Sequence, residues 1–426
     1  MRKALQAALA LLLFTVCLGS GLAADPGGTP LLREVPAQPM ANPPSISLSG
    51  KNGPSAIPDG MTIIPVTYPS ETPSPLFRYP GMLPMRADWD GRAYTGAWPD
   101  RSFVRNTAVT TTNSFGNMIV EFAFTGYAFE IREKGQGSKY RLLVDEGSGY
   151  KVVPGVLHAA PADGALYYRK VAFADNLPRN IRIEYSSGYF GGIRVHRTDK
   201  VTPVARPEQP RAVIFGDSIT ESAGTPTRLT GYAPSMCWML GWECFVSGVG
   251  GTGYLNVPKG RVKLRDRLAN DVVRIKPDIV FIAAGNNDGK FEEAAIREEA
   301  LRLYRELQAA LPEATVIVAS NLSLVDATET HRMIRDAVRA AALEAGLPFI
   351  DTLAGTTYDA SGNALIENMG QWIYGSGTID EPSDYGNSSL YTLGDRGHPT
   401  QAGHDYLAKR YAAEVLRLLA AQQPNE

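Results

Sequence analysis

Ser218 stands in the run Gly216-Asp217-Ser218-Ile219-Thr220, and far downstream Asp395 and His398 stand in Asp395-Arg396-Gly397-His398-Pro399. A serine hydroxyl attacks a carbonyl carbon well only when a base takes its proton, and the base needs a carboxylate to hold its tautomer and steady its charged form. The spacing from Asp395 to His398 lets one turn present both side chains, so these three residues form a candidate Ser-His-Asp set. Attack on an ester puts negative charge on the carbonyl oxygen, which calls for hydrogen-bond donors aimed at that point. The candidates are the backbone N–H of Ser218, the backbone N–H of Gly251 in Gly248-Val249-Gly250-Gly251-Thr252, and the side-chain amide of Asn287 in Gly285-Asn286-Asn287-Asp288. Successive residues after a strand face different ways, so only one of Asn286 and Asn287 should reach the oxyanion. Asn287, directly before Asp288, is the one expected.

For these blocks to converge, a scaffold must bring distant stretches of chain together. After the break at Pro203 to Pro210, short apolar runs alternate with helical periodicity. Strand candidates are Ala212 to Phe215, Cys244 to Ser247, Asp278 to Ala284, Ala314 to Ser320 and Pro348 to Asp351. Phe291, Ile296, Leu303, Leu307 and Leu311 recur at helical spacing between them, as do Met333, Ile334, Val338 and Leu343. The alternation implies a parallel sheet covered on both faces. The first three blocks then lie just past the carboxyl ends of strands, where open sheets of this kind place ligands.

Residues 79–202 carry a different signal, with period two in Phe129-Glu130-Ile131-Arg132, Ile181-Arg182-Ile183-Glu184-Tyr185 and Ile193-Arg194-Val195-His196. Half-buried strands are expected there, separated by turns at Gly135-Gln136-Gly137-Ser138, Gly147-Ser148-Gly149 and Ser186-Ser187-Gly188, and together they make a small β-sandwich. Residues 25–78 contain 12 prolines and few long apolar runs, which reads as an extended linker, with packing against a domain left open. Residues 1–24 begin Met1-Arg2-Lys3, continue with an apolar run from Ala4 to Cys17 and end in Gly21-Leu22-Ala23-Ala24, the layout of a cleaved secretory signal. The rival is an uncleaved anchor, if Leu18 to Ala24 extend the apolar run. Val16 before Cys17 sets aside a lipoprotein. The expectation is a secreted or periplasmic protein with no stable membrane insertion after cleavage.

The ordered blocks Gly-Asp-Ser-Ile-Thr, a glycine after the second strand, Gly-x-Asn-Asp and Asp-x-x-His-Pro resemble the SGNH (GDSL) hydrolase superfamily, over roughly residues 210 to 424. That resemblance implies a flavodoxin-like α/β/α domain, here over residues 208–424. It also implies Ser218 as nucleophile, Gly251 and Asn287 as partners of Ser218 in the oxyanion hole, and Asp395 with His398 as the rest of the triad. The second block departs in lacking the asparagine that many members carry before it. A β-sandwich of jelly-roll type ahead of such a domain is similar to the two-domain carbohydrate acetylesterases, among them carbohydrate esterase family two, which remove O-acetyl groups from polysaccharides. Some members of that family lack the triad aspartate, whereas Asp395 is present here.

Between Asp351 and Asp395 lies a long segment rich in Gly, Asn and Ser, with Trp372, Tyr374, Tyr385 and Tyr391. Long loops inside compact domains are usually functional or disordered, and these aromatic faces are candidates to stack on sugars; the alternative is a loop packed on itself. Other signals are excluded. Gly248-Val249-Gly250-Gly251-Thr252-Gly253 fits a dinucleotide fingerprint, but Pro258 and Gly260 soon follow where a helix would have to open. The histidines match no metal-ligand spacing, and His404 reads as a packing residue, so neither a metal nor a cofactor is expected. No Gly-x-Ser-x-Gly elbow occurs. The formal charge of -2 offers no footprint for nucleic acid. Cys237 and Cys244 are as consistent with a disulfide as with buried free thiols.

The sequence therefore predicts an exported serine esterase acting on short acyl esters, chiefly O-acetyl groups of a polysaccharide, through an acyl-enzyme. Three rivals stay open: a lipase or lysophospholipase, a polysaccharide O-acetyltransferase, and a glycan-binding protein whose SGNH domain is inactive. Fold analogy alone supplies no substrate.

Overall fold

The structure, a computed structural model, describes residues 32–421 apart from 52–57, 67–73, 83, 88–102, 107–117, 135–138, 156–157, 160, 188 and 206–207. The expected signal at 1–24 and the expected turn at 135–138 lie outside the described residues. The chain forms two compact units, one of Pro36–Thr107 with Phe115–Arg206, the other of Pro207–Glu426 joined by the segment 32–35.

The second unit is built on a sheet in the spatial order Glu243–Gly248, Arg211–Gly216, Ile279–Ala283, Thr315–Ala319, Phe349–Asp351, Thr356–Tyr358 and Ala364–Ile366. Its first five strands are parallel, and their order relative to the chain, 2-1-3-4-5, is that of flavodoxin-like folds. The last two strands add antiparallel at one edge. Both faces are apolar, which explains why these strands read as continuous hydrophobic runs. Ala212 and Ile214 pack with Met236 and Leu240 of helix Tyr232–Leu240 and with Leu407, Tyr411 and Val415 of helix Gln401–Ala421. Val213 and Phe215 point the other way and are equally buried; there the guanidinium of Arg267, from helix Leu264–Asp271, lies over the Phe215 ring. The helix Glu329–Glu344 opens on a capping box in which the Thr328 hydroxyl accepts from the His331 backbone N–H and the His331 ring returns a bond to the Thr328 backbone.

The first unit is a β-sandwich. One antiparallel sheet runs Ser45–Leu48, Leu166–Ala172, Ala128–Lys134, Phe190–His196, Phe103–Asn106, Pro84–Ala87, with Met61–Ile64 also paired to Phe190–His196. The other runs Lys200–Thr202, Met118–Thr125, Pro178–Ser187, Lys139–Asp145, Tyr150–Val152, with His158–Ala159 also on Lys139–Asp145. Phe122, Phe124, Phe129, Ile131, Ile181, Phe190 and Ile193 fill the space between them.

Two expectations are corrected here. The stretch 25–78 is not simply a linker: Ser45–Leu48 pairs in register with Arg169–Ala172, and Met61–Ile64 with Ile193–His196. Its prolines at 43, 44, 58 and 65 fall outside these strands, where a missing N–H costs no ladder bond. Nor does the period-two pattern mean half-buried strands throughout, because Arg132, Arg182, Glu184 and Arg194 are buried as fully as the apolar residues they alternate with. The charges of Arg182, Glu184 and Arg194 are tolerated because they are paired. Arg182 bonds Glu121 at 2.7 Å and Glu184 at 2.6 Å, and Arg169 bonds Glu133 at 2.8 Å.

Candidate active site

Strand Arg211–Gly216 ends in the turn that carries Ser218. A Cβ on Gly216 would sit 2.2 Å from the Ala283 carbonyl of the neighbouring strand, so only glycine lets the turn leave the sheet here. The turn then closes as one helical loop, with Glu221 N–H donating to the Asp217 carbonyl and Ala223 N–H to the Ser218 carbonyl, each at 2.9 Å. Asp217 is wholly buried and accepts from Ile219 N–H and from Asn286 Nδ2, both at 3.0 Å. Burial pushes its carboxyl up to about 6.

His398 reaches this turn from the other end of the unit. Its Nε2 lies 3.0 Å from Ser218 Oγ, and its Nδ1 lies 2.6 Å from Asp395 Oδ2. The second oxygen of Asp395 accepts the backbone N–H groups of Gly397 and His398 at 2.9 and 3.0 Å, which folds the four residues into one tight turn. Burial alone would raise the Asp395 carboxyl, but the His398 ring and those two N–H groups outweigh it and hold it below the usual carboxylate range. With Nδ1 bonded to a carboxylate, Nε2 is the ring nitrogen that faces the Ser218 hydroxyl.

The candidate oxyanion donors are separated by what their neighbours already bind. Asn286 is committed at both ends of its amide: Nδ2 donates to Asp217 and Oδ1 accepts from Leu322 N–H at 2.9 Å. Asn287 Nδ2 makes one bond, to the Thr252 carbonyl at 3.0 Å, which brings it beside the Gly251 loop and leaves its second hydrogen available. Gly250 N–H is taken by Glu221 Oε2 at 2.7 Å. Among the described residues, the N–H groups of Ser218 and Gly251 have no hydrogen-bond acceptor. Gly251 has φ +74, a left-handed conformation that glycine adopts without strain. Asp288 supports the loop from below, accepting from Tyr254, Leu255 and Asn256 N–H at 2.8 to 2.9 Å. The arrangement can deprotonate a hydroxyl and receive an anionic oxygen within the same few ångströms.

The aromatic residues of the long segment divide. Trp372 is 2% exposed and packs edge-on to Tyr411 in the core, so it is no sugar platform. Tyr391 stacks on Tyr406 at 4.6 Å. Tyr374 and Tyr385 are exposed and form an edge-to-face pair at 5.9 Å. Cys237 and Cys244 are free thiols, so no bridge joins them. His404 is buried, with Nδ1 accepting from Tyr232 N–H and Nε2 facing the Ala223 carbonyl, and burial pulls it down to about 4. Sequence reasoning missed Glu221, Arg261 and Arg267. Arg267 donates to the Gly216 carbonyl at 2.6 Å and the Ser247 carbonyl at 3.0 Å, tying two strand ends together. The only signal for Glu221 was a charge three residues after the nucleophile.

Residues 214–406 match the model of the GDSL-like lipase/acylhydrolase family. Over those residues the chain is similar to the GDSL/SGNH hydrolase superfamily. A comparison with curated proteins by sequence finds no match. Among solved structures, the chain is similar to a family two carbohydrate esterase from Cellvibrio japonicus, at 13% identity and TM-score 0.57, over 84% of this chain and 98% of that one. It is also similar to a family two carbohydrate esterase from Clostridium thermocellum solved with cellohexaose, at 16% identity and TM-score 0.53, over 71% and 92% of the two chains. A third is SsfX3, a salicylyl-acyltransferase from a tetracycline biosynthetic pathway, at 13% identity and TM-score 0.56, over 84% and 97%. At these identities the likeness is one of fold. No helix of the described residues is long and apolar enough to cross a membrane.

Proposed function

We propose that the protein is an exported serine esterase that hydrolyses short acyl esters, with O-acetyl groups of a polysaccharide as its substrate. The observation that carries this reading is the continuous relay from Ser218 Oγ through His398 to Asp395, at 3.0 and 2.6 Å, set beside two backbone N–H groups without acceptors. Ser218 Oγ attacks the acyl carbon as its proton passes to His398 Nε2, and Asp395 stabilises the resulting imidazolium. The tetrahedral oxygen accepts from Ser218 N–H, Gly251 N–H and Asn287 Nδ2, each donor contributing about 3 kcal/mol. Collapse breaks the bond to the sugar oxygen, which leaves with the proton from His398. Water then repeats the sequence on the acyl-enzyme and releases acetate and free Ser218.

The carbohydrate part of the reading draws on the two family two carbohydrate esterases whose fold the chain shares, and on the exposed tyrosine pair Tyr374 and Tyr385 in the segment leading to the Asp395 turn. Export rests on the signal-like residues 1–24. The test is hydrolysis of 4-nitrophenyl esters from acetate to decanoate, with Ser218→Ala alongside. Acetate should be cleaved fastest, and the variant should lose at least about 10⁴-fold in kcat. A preference for decanoate would make the protein a lipase. Acetyl transfer to an added sugar in preference to water would make it a transferase, and inert wild type that still binds glycan would make it a binding protein.

A further inference from the structure

The peptide unit joining Gly250 to Gly251 carries the N–H assigned above to the oxyanion. The carbonyl oxygen of that same unit accepts from Arg261 Nη1 at 2.5 Å. The units on either side are also held: Glu221 Oε2 takes Gly250 N–H at 2.7 Å, and Asn256 Nδ2 donates to the Gly251 carbonyl at 2.6 Å. Glu221 is paired with Arg228 at 2.7 Å and lies 3.9 Å from Arg261. The clamp closes directly beside the nucleophile. A Cβ on Gly250 would meet Arg261 Nη1 at 2.9 Å, Glu221 Oε2 at 3.0 Å and Ser218 Cβ at 3.4 Å.

We propose that Arg261 is a positioning residue of the oxyanion hole, acting through the Gly250–Gly251 peptide, with Glu221 as the counter-ion that keeps it in place. The inference rests on the esterase reading. A guanidinium on a carbonyl oxygen draws electron density through amide resonance from the nitrogen, so the N–H at the other end becomes a stronger donor. Such coupled bonds reinforce one another by roughly 10–30% each, and charged donors form the stronger members of the series. The clamp also carries net positive charge, because two guanidinium groups face one carboxylate. That field favours the transition-state oxygen over the neutral ester, so it acts on kcat more than on KM. The Arg261 side chain is 38% exposed, and solvent screening keeps its effect below that of a direct donor.

The experiment compares Arg261→Met and Arg261→Lys with wild type and Ser218→Ala, using 4-nitrophenyl acetate at neutral pH, and records melting temperatures. Arg261→Met should lower kcat about ten- to fiftyfold with KM changed less than about twofold. Arg261→Lys, or millimolar guanidinium chloride added to Arg261→Met, should recover a large part of that loss. A loop merely loosened would not respond to guanidinium ion. The proposal is overturned if Arg261→Met keeps kcat within about twofold of wild type, or if neither the lysine variant nor guanidinium restores it. When wild type shows Ser218-dependent turnover, such a result removes only the role of Arg261. Absence of any Ser218-dependent turnover removes the esterase reading and this one together.

Discussion

In the β-sandwich unit, Arg182, Glu121 and Glu184 are buried in one sheet and bond to one another. In the hydrolase unit, Asp217, Asp288 and Arg267 are buried just as deeply, yet most of their bonds go to backbone: Ile219 N–H, the three N–H groups from Tyr254 to Asn256, and the Gly216 and Ser247 carbonyls. The first kind of buried charge satisfies other side chains and holds strands together. The second kind fixes the main chain that presents the site. Side-chain pairs can in principle give way together to apolar neighbours, whereas a charge that satisfies a loop's backbone cannot be removed without leaving that loop unsatisfied.

The contrast can be broken most directly at Arg182. Arg182→Ala takes from Glu121 and Glu184 the guanidinium they share, leaving Glu184 its bond to Arg141, and denaturant unfolding should show a loss of about 3 kcal/mol. The kcat of the folded fraction should stay within about twofold of wild type; a larger fall would mean that the two units are coupled. Next comes the aromatic contrast within the hydrolase unit. Trp372→Ala empties a core site and should cost about 3 kcal/mol or slightly more. Tyr385→Ala should change stability by less than about 0.5 kcal/mol and raise KM only for a polymeric acetylated substrate. If KM for that polymer is unmoved by Tyr385→Ala, the tyrosine pair has no part in sugar binding.

His404 gives an effect that depends on pH. Its folded value near 4 lies below the ordinary 6.5, so the unfolded chain takes up a proton first as pH falls. Stability from this group is therefore full above about pH 6.5 and is lost progressively down to about pH 4, reaching roughly 3 kcal/mol over the window. Asp217, raised to about 6 by burial, acts with the opposite sign, since its ionisation in the unfolded chain above pH 3.8 favours unfolding. The two partly cancel in wild type. The difference in unfolding free energy between wild type and His404→Gln should consequently rise between pH 4.5 and 7, and a flat difference would show that His404 titrates alike in the folded and unfolded chains.

Much of this was legible in sequence, for local reasons. The strands of the hydrolase unit are buried on both faces and read as apolar runs, and each functional block sits at a strand end or in a tight turn where spacing fixes which side chains meet. Asp395 and His398 share one such turn, and Ser218 follows a glycine that the neighbouring strand requires. What stayed hidden depends on contacts between distant residues. Ser45–Leu48 becomes a strand because Arg169–Ala172 pairs with it, and nothing near its prolines announces that. Trp372 is drawn into the core by Tyr411 of the last helix, so an aromatic in a polar loop looked like a platform. The burial of Arg132 and Glu184 cannot be told from alternation alone, because solvent and an ion partner satisfy a charge equally well in the pattern.

The segment 32–35 has a further consequence. Arg33 N–H donates to the Met239 carbonyl at 3.0 Å and Trp238 Nε1 to the Glu34 carbonyl at 2.8 Å, so the chain is fastened to the hydrolase unit just before it enters the β-sandwich. From residue 208 on it belongs to the same unit. The β-sandwich is therefore a loop tied at both ends, and its unfolded form samples fewer arrangements than a free tail of equal length. Cutting the chain anywhere before Leu32 leaves that loop closed, whereas a cut a few residues later opens it. Two otherwise similar truncations should thus differ in how readily the sandwich unfolds, with the hydrolase sheet untouched in both.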